Sequence, residues 1–221
     1  MRLIFATNNI HKLNEIKNIL PIKYKKYVFS LVDLDIQVAP NENGSSYEEN
    51  ANIKSSATYF ALKDKKDLKI GDYIIADDTG LSIDYLNGEP GIHSARYLGN
   101  ISQHEKNKKI IDLMKDINDN ERTAHFITKL SVLEICIDKY LTDIPKSIIF
   151  EGRVDGYIAK TMIGDDGFGY DPIFAIGDTD DIENGIVKTY SKIGQDKKNK
   201  ISHRALAINA FTNYLEKKPI F

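Results

Sequence analysis

Apolar and polar residues follow one another along the chain in a pattern that predicts alternating strands and helices. Short apolar runs at residues 2–6 and 28–32 predict two strands. The segment between them predicts an amphipathic helix that ends at a proline: Leu13, Ile16, Ile19, Leu20 and Pro21. Two longer runs rich in β-branched residues, 123–135 and 147–160, predict a hairpin of a mixed sheet. This order of elements indicates an α/β fold.

A further helix is predicted after Ser46, which stands three residues before Glu49 in the spacing of a capping box. Asn50 and Lys54 lie one turn apart on this helix and are expected to lie away from its apolar stripe. The expected members of that stripe are Ile53, Ala57, Phe60 and Ala61.

The most informative stretch surrounds residue 78, where two acids stand between two apolar runs. Tyr73–Ala76 and Leu81–Leu86 predict strands, and Asp77 and Asp78 are expected to point to opposite faces at the end of the first. Adjacent carboxylates there are costly unless they are paired or bind a metal. Gly80 is expected to adopt a backbone conformation closed to other residues. A solvated hairpin turn is the alternative for this stretch taken alone.

Composition and charge restrict the class of protein. A chain of 221 residues fits one α/β domain, expected to span residues 1–221 with two lobes. The net charge of -2 excludes a strongly basic nucleic-acid binder, and no apolar run approaches the ~18 residues that span a bilayer. The single cysteine, Cys136, excludes an internal disulfide and is expected to be buried. We therefore expect a cytoplasmic globular protein without nucleic-acid or membrane partners.

Two segments have residue types suited to binding a ligand: the first suits an anion and the second suits a flat ring. Thr7–Lys12 joins a strand to a helix N-terminus and could cradle an anion, although an asparagine helix cap explains Asn8 or Asn9 equally well. Gly164–Phe174 combines three glycines with aromatic rings, which allows close approach and stacking. A glycine-rich turn with core aromatics is the alternative there.

The end of the chain adds cations and one rejected motif. Ser202 predicts the start of a helix whose first turn holds His203 and Arg204, and cations at that end indicate an anionic group nearby. The run Lys197–Lys200 is by default a solvated surface. Asp178–Gly185 is rejected as a calcium loop, because its fifth and sixth positions lack the required acid or amide and glycine.

Together these motifs resemble the inosine triphosphate pyrophosphatase family, enzymes that hydrolyse non-canonical purine nucleoside triphosphates. The resemblance runs nearly end to end and rests on six motifs in family order. They are Ala6–Asn9 with Lys12, Glu49–Ala51 with Lys54, Ala76–Leu81, Pro90-Gly91 with Ser94–Tyr97, Gly167–Phe174 and Ile201–Arg204. The resemblance implies an elongated, two-lobed α/β fold with a curved mixed sheet flanked by helices, a central substrate cleft and a homodimer. It also implies that ITP, dITP or XTP and water give the monophosphate and pyrophosphate, with Mg²⁺ or, as a substitute, Mn²⁺.

Carried over position by position, the resemblance assigns a role to each motif. Asp78 matches the general base, and Glu42 and Asp78 match the metal-binding acids, although Glu42 by itself reads as a surface acid. Lys54 would add a positive contact and Thr79 would contact the substrate, while the triphosphate would be lined by Thr7, Asn8, Asn9, Ile10, His11 and Lys12. Phe168, Gly169, Tyr170 and Asp171 would hold the base, with Phe168 stacked on it; Lys198 would be another ligand-binding lysine, and His203 and Arg204 would read the 6-oxo group.

Some residues differ from the family pattern, and other functions are possible alternatives. Lys192, Ala205 and Asp165-Asp166 differ from the usual residues and leave the substrate ranking open. One rival is a related pyrophosphatase for modified or pyrimidine nucleotides, which the His203-Arg204 pair disfavours. Another is a non-catalytic nucleotide- or RNA-binding module that uses the lysine run. An aspartyl-phosphate phosphatase is excluded, because it needs Asp-x-Asp rather than adjacent acids.

Overall fold

The computed structural model describes residues 1–177 and 186–218. Within this part, the strands are β1 (Arg2–Phe5), β2 (Val28–Ser30), β3 (Asp72–Ile83), β4 (Thr123–Ile135), β5 (Ile148–Ile158), β6 (Phe174–Ile176) and β7 (Lys188–Thr189). The helices of the same part are α1 (Ile10–Ile19), α2 (Ile22–Lys25), α3 (Tyr47–Asp64), α4 (Gln103–Leu113), α5 (Tyr190–Ile193), α6 (Gln195–Ile201) and α7 (His203–Glu216). The rejected calcium-loop motif Asp178–Gly185 lies outside the described residues.

The strands form one mixed sheet in the order β2-β1-β3-β4-β5-β6-β7. Strand β1 is parallel to both β2 and β3, as expected when helices connect the strands. Strand β6 is antiparallel to both β5 and β7. The predicted α/β fold with a mixed sheet is therefore confirmed.

The chain forms two compact units, which we describe separately. The first contains Met1–Asp78, Thr128–Gly152 and the chain from Arg204 onward, and the second contains Thr79–Ile127 and Arg153–His203. The predicted central cleft, the organisation as a single domain and the homodimer stay predictions.

The first unit has a hydrophobic cluster on each face of its strands. Leu3 and Phe5 belong to one cluster, with residues of α1 and α7, whereas Ile4 belongs to the other, with Tyr59 and Leu62 of α3. This division follows from the alternation of side chains along a strand. The predicted helix α1 is confirmed: Leu13, Ile16 and Leu20 are buried, and the helix ends at Ile19 before the proline.

The second unit has its own core, and a buried arginine closes one end of it. The core is formed by Leu81, Ile83, Ile110, Met114, Phe126, Ile158, Ile173, Phe174 and their neighbours. The guanidinium of Arg122 donates to the carbonyls of Ile158 (2.7 Å), Ala159 (3.1 Å) and Met114. One side chain therefore ties the C-terminal end of α4 to the end of β5.

The structure corrects the prediction for the stretch around Asp77 and Asp78. Strand β3 continues without interruption from Asp72 to Ile83, so the predicted break between two strands does not form, and neither does the alternative, a hairpin turn. The two acids lie inside a buried strand rather than at its end.

Two further predictions about burial are wrong. Helix α3 buries Ala51, Ser55, Thr58, Tyr59 and Leu62, whereas Phe60 of the expected stripe is 49% exposed. Hydroxyl residues can face the interior here because their own hydrogen bonds are satisfied: Ser55 Oγ lies 2.7 Å from Ser131 Oγ, and Thr58 Oγ1 donates to the Lys54 carbonyl. Cys136 is exposed, since β4 ends one residue before it.

No helix in the described part of the chain is long and apolar enough to span a membrane.

Candidate active site

The two adjacent acids of β3 reach two different groups of partners. Asp77 Oδ2 lies 2.8 Å from Lys12 Nζ and 3.5 Å from Arg204 Nη2. Asp78 Oδ1 lies 3.0 Å from Lys54 Nζ. Successive side chains of a strand point to opposite faces, which explains this separation. The prediction that the acids face opposite ways and are paired is consistent with these contacts.

The residues that precede α1 hold its first turn. Asn9 is the N-cap, and its Oδ1 accepts from the amides of His11 (3.0 Å) and Lys12 (3.2 Å). The Thr7 hydroxyl accepts from the Asn9 amide at 3.2 Å, and Asn8 Nδ2 donates to the Val38 carbonyl at 3.1 Å. The capping alternative therefore applies to Asn9, and the cap places Lys12 where its ammonium reaches Asp77.

Ile10 and His11 open the same helix and are exposed, Ile10 at 59%. Contact of the Thr7–Lys12 segment with a substrate stays a prediction.

Glu15 is a charged residue of this cluster that the sequence reasoning missed. Its side chain is 1% exposed and forms an ion pair with Nη1 of Arg204, whose side chain is 2% exposed. Glu15 lies three residues after Lys12, and this helical spacing was the available signal that both belong to one face. The anionic partner expected for Arg204 at the start of α7 is therefore a pair of protein carboxylates, Glu15 and Asp77.

Lys54 connects the two acids that were predicted to hold a metal. Its Nζ lies 3.0 Å from Glu42 Oε2 and 3.0 Å from Asp78 Oδ1. Asn50 supports the same region, because its Oδ1 accepts from the Gly44 amide at 2.9 Å and its Nδ2 donates to Asp78 Oδ2 at 3.4 Å. Glu42 and Asp78 thus direct oxygens toward one point, although no cluster of three or more His, Cys, Asp or Glu suited to a metal occurs among residues 1–177 and 186–218.

The environments of Asp77 and Asp78 shift the pKa values of the two carboxyl groups in opposite directions. Burial acts to raise the pKa of Asp77, but the charges of Lys12, Arg204 and Lys54 outweigh it and hold that pKa well below its usual value. For Asp78 the effect of burial prevails over the attraction of Lys54, and its pKa is raised. Asp77 is consequently a fixed anion, whereas Asp78 is the better proton acceptor of the two.

In the second unit, Asp171 holds the glycine loop that precedes it. Asp171 Oδ2 accepts from the Phe168 amide at 2.8 Å and from Lys198 Nζ at 2.7 Å. Gly167 has φ +91°, and a Cβ atom there would lie 2.3 Å from Asp171 Oδ2, so the loop requires glycine. Close approach of a flat ligand to this loop stays a prediction.

Two aromatic rings lie close to the ammonium group of Lys198. Its Nζ lies 4.6 Å from the centre of the Phe168 ring and 5.6 Å from that of Tyr190. Such contacts stabilise a buried ammonium together with its carboxylate partner. The default of a solvated lysine is wrong for Lys198, which is buried.

His203 and Tyr170 are also buried in the second unit. The His203 ring stacks on Phe126, with centroids 4.4 Å apart and an interplanar angle of 13°. The Tyr170 hydroxyl donates to the Ser94 carbonyl at 2.7 Å, so this ring anchors the loop. Thr79 follows Asp78 within β3 and is the first residue of the second unit. Contact of these residues and of Gly169 with a substrate stays a prediction.

Comparison with solved structures finds the same fold. The Staphylococcus aureus Ham1 protein superposes with a TM-score of 0.75 at 35% identity, covering 98% of each chain. A HAM1 protein from Coxiella burnetii superposes with a TM-score of 0.76 at 28% identity, covering 99% of this chain and 100% of that one.

Comparison of sequences finds relatives of similar length. A dITP/XTP pyrophosphatase of Thermoanaerobacter pseudethanolicus is 38% identical over 219 residues, covering 99% of this chain and 98% of the relative. One of Bacillus subtilis is 39% identical over 217 residues, covering 96% of both. The model of the Ham1 family matches residues 3–214. The acids, lysines and glycine loop of this chain follow one another in the order of the motifs that first indicated a nucleoside triphosphate pyrophosphatase. Together with these matches, this order shows that the chain belongs to the Ham1 family.

Proposed function

We propose that the protein hydrolyses the non-canonical purine nucleotides dITP, ITP and XTP to the nucleoside monophosphate and pyrophosphate, and so cleanses the nucleotide pool. Membership of the Ham1 family and relatives named dITP/XTP pyrophosphatase support this proposal. The structural observation that carries it is the buried Asp78, which shares the ammonium of Lys54 with Glu42.

The first unit supplies what the triphosphate side of the reaction needs. A triphosphate carries about four negative charges, and fixed cations stabilise both it and the charge that develops at the attacked phosphorus. Lys12 and Lys54 are partly exposed at 20% and 13%, so their ammonium groups can also contact a ligand. We assign both lysines to the phosphates.

Asp78 is the residue best suited to activate water. In the reaction, the bond between the α- and β-phosphates breaks, the oxygen of water joins one of the separated phosphoryl groups, and a proton must leave that water. A buried carboxylate that carries a raised pKa can take this proton. Asp77 is tied to Lys12 and Arg204, and we assign it the task of holding these cations in place.

Glu42 and Asp78 fit a magnesium site of the kind found in nucleotide-processing enzymes. Mg²⁺ is held by one or two carboxylates together with phosphate oxygens and water, so a cluster of three protein ligands is not needed. Both carboxylates approach Lys54 Nζ at 3.0 Å, and this shared approach to one cation supports the assignment. Mg²⁺ bound there would neutralise charge on the phosphates. Mn²⁺, which prefers the same oxygen ligands, is the expected substitute.

The second unit supplies groups suited to a purine. Phe168 offers a ring face, and Asp171 and Lys198 fix the loop that carries it. We assign Phe168–Asp171, Lys198 and His203 to the base, together with Arg204. A donor to the 6-oxo group would be left unpaired against the 6-amino group of adenine, a mismatch worth about 1–3 kcal/mol.

We further propose that the protein is a homodimer and is located in the cytoplasm.

The proposal is tested by product analysis with purified protein, Mg²⁺ and separate reactions with ITP, XTP, GTP, ATP and CTP. We expect monophosphate and pyrophosphate from ITP and XTP and little from the others. The matched control is Asp78→Asn, which keeps the shape of the side chain and removes its capacity to take a proton.

The other outcomes are equally informative. Equal turnover of all five nucleotides would retain the phosphate chemistry and contradict the assigned base contacts. Preferential turnover of CTP would favour the pyrimidine-directed rival. Tight binding of ITP without products would instead indicate a nucleotide-binding module.

A further inference from the structure

A buried amide on α4 holds the loop assigned to the base. Asn107 is 2% exposed, and its Nδ2 donates to the carbonyl of Gly169 at 3.0 Å. Its Oδ1 accepts from Gln103 Nε2, also at 3.0 Å. Both the oxygen and the nitrogen of the amide therefore form hydrogen bonds. The nitrogen donates to the main chain of the loop and not to its own helix.

Gly169 lies in a turn closed by the Asp171 amide, which donates to the Phe168 carbonyl at 3.3 Å. Its φ is +66°, and a Cβ atom placed there would meet no atom within 4 Å. A side chain at position 169 would therefore find no packing partner that could help to hold the loop. The hydrogen bond from Asn107 supplies a fixed direction for its carbonyl.

Helix α4 is well suited to act as the fixed support. Its N-terminus carries a complete capping box of Ser102 and Glu105, and its last turn is held by Arg122 through the Met114 carbonyl. Lys106, next to Asn107, is buried and donates to the Ala95 carbonyl at 3.0 Å. Both ends of the helix are thus restrained, and the position of Asn107 is defined by the core of the second unit.

The fixed peptide lies directly between the groups assigned to the base. Phe168 precedes Gly169, and Tyr170 follows with its hydroxyl bound to the Ser94 carbonyl. Rotation of the peptide after Gly169 would move the Phe168 ring and the amide that Asp171 accepts from. Groups held ready before a ligand arrives bind it without the cost of ordering them.

We infer that Asn107 is a positioning residue that sets the affinity for the purine base by fixing the Gly169 carbonyl. This inference rests on the proposed function in so far as Phe168–Asp171 bind the base. Asn107 itself needs no contact with the substrate.

The test uses Asn107→Asp, which keeps the shape of the side chain but replaces the donor by a second acceptor. Asn107→Ala removes the group altogether and serves if the buried carboxylate prevents folding. Asn118→Asp is the matched control, because Asn118 carries the same amide at an exposed site of the second unit, hydrogen-bonded to Glu121.

Two measurements are made on each variant. Hydrogen exchange of residues 164–171, followed by mass spectrometry without any nucleotide, should become faster in both Asn107 variants and stay unchanged in Asn118→Asp. The KM for ITP should rise about tenfold with little change in kcat, because one net buried hydrogen bond corresponds to about a factor of ten in an equilibrium constant.

The inference is overturned if loop exchange and KM match those of the unmodified protein in the Asn107 variants. It is also overturned if kcat and thermal stability fall while KM stays the same, since Asn107 would then act on the fold alone. An unmodified protein that does not hydrolyse ITP would refute the proposed function instead. The exchange measurement would then still decide whether Asn107 fixes the loop.

Discussion

The buried ion pair between Glu15 and Arg204 allows a prediction with a defined magnitude. Glu15→Gln keeps the size of the side chain and removes its charge. Both partners are buried, with side-chain exposures of 1% and 2%, so water cannot replace the lost interaction. Lys12 Nζ and Arg204 Nη2 also approach Asp77 Oδ2, at 2.8 Å and 3.5 Å, so that carboxylate would remain as a partner of both cations.

Removal of one partner from a buried pair costs about 3–5 kcal/mol, because the other charge stays buried without compensation. Glutamine can still accept one hydrogen bond, so we expect the lower end, about 3 kcal/mol of unfolding free energy. For a chain of this length, 1 kcal/mol corresponds to about 2–4 °C in Tm. The variant should therefore melt on the order of 10 °C below the unmodified protein.

The assay is thermal unfolding followed by circular dichroism, with Glu216→Gln as the control. Glu216 also pairs with a cation, Lys23, at 2.7 Å, but both side chains are about half exposed. Exposed pairs of this kind often contribute nothing measurable, so Tm should not change in the control. Equal melting temperatures for Glu15→Gln and Glu216→Gln would refute the reasoning that burial makes the first pair essential.

Three further predictions concern the reaction. Asp78→Asn should lower kcat for ITP by a factor of about 10²–10⁴, the range for loss of a general base. Its circular dichroism should be unchanged because asparagine keeps the shape of the side chain and can still accept a hydrogen bond from Lys54, and near-normal turnover would contradict the assignment. Gly167→Ala should raise the KM for ITP, because φ is +91° and the added Cβ would lie 2.3 Å from Asp171 Oδ2. The control Gly88→Ala should leave KM unchanged, because φ there is +85° but the added Cβ would have no atom within 4 Å. Treatment with EDTA should abolish pyrophosphate release and added Mg²⁺ should restore it; activity that persists in EDTA would argue against Glu42 as a metal ligand.

The fold was predictable where local patterns determine local structure. The apolar spacing in α1 and the proline after it fixed both the buried face and the end of that helix. The β-branched runs at 123–135 and 147–160 correspond to β4 and β5. In each case the residues that form the element also contain its start or stop signal.

Prediction failed where distant partners override the local pattern. The polar run Asp77–Gly80 predicts a break between two strands, yet it lies in one continuous strand, where Lys12, Arg204 and Lys54 compensate the acids from distant parts of the chain. No local signal carries that information.

The candidate site shows the same limit. Family motifs pointed to Asp78, Lys54 and Lys198, whereas Glu15 and Asn107 lie outside those motifs. Each acts through another residue, Arg204 and Gly169 respectively, and such a role becomes visible only when the hydrogen bonds are known.

Arg122 has a consequence for how this protein can change through evolution. Its planar guanidinium serves three main-chain carbonyls at once, two at the end of β5 and one at the end of α4. Lysine has a single nitrogen on a flexible stem and cannot reproduce this fork, and shorter side chains would leave all three carbonyls without the donor. Carbonyl groups cannot be mutated, so no second substitution among these partners could compensate. Position 122 should therefore resist drift far more strongly than an ion pair, in which either partner can be exchanged.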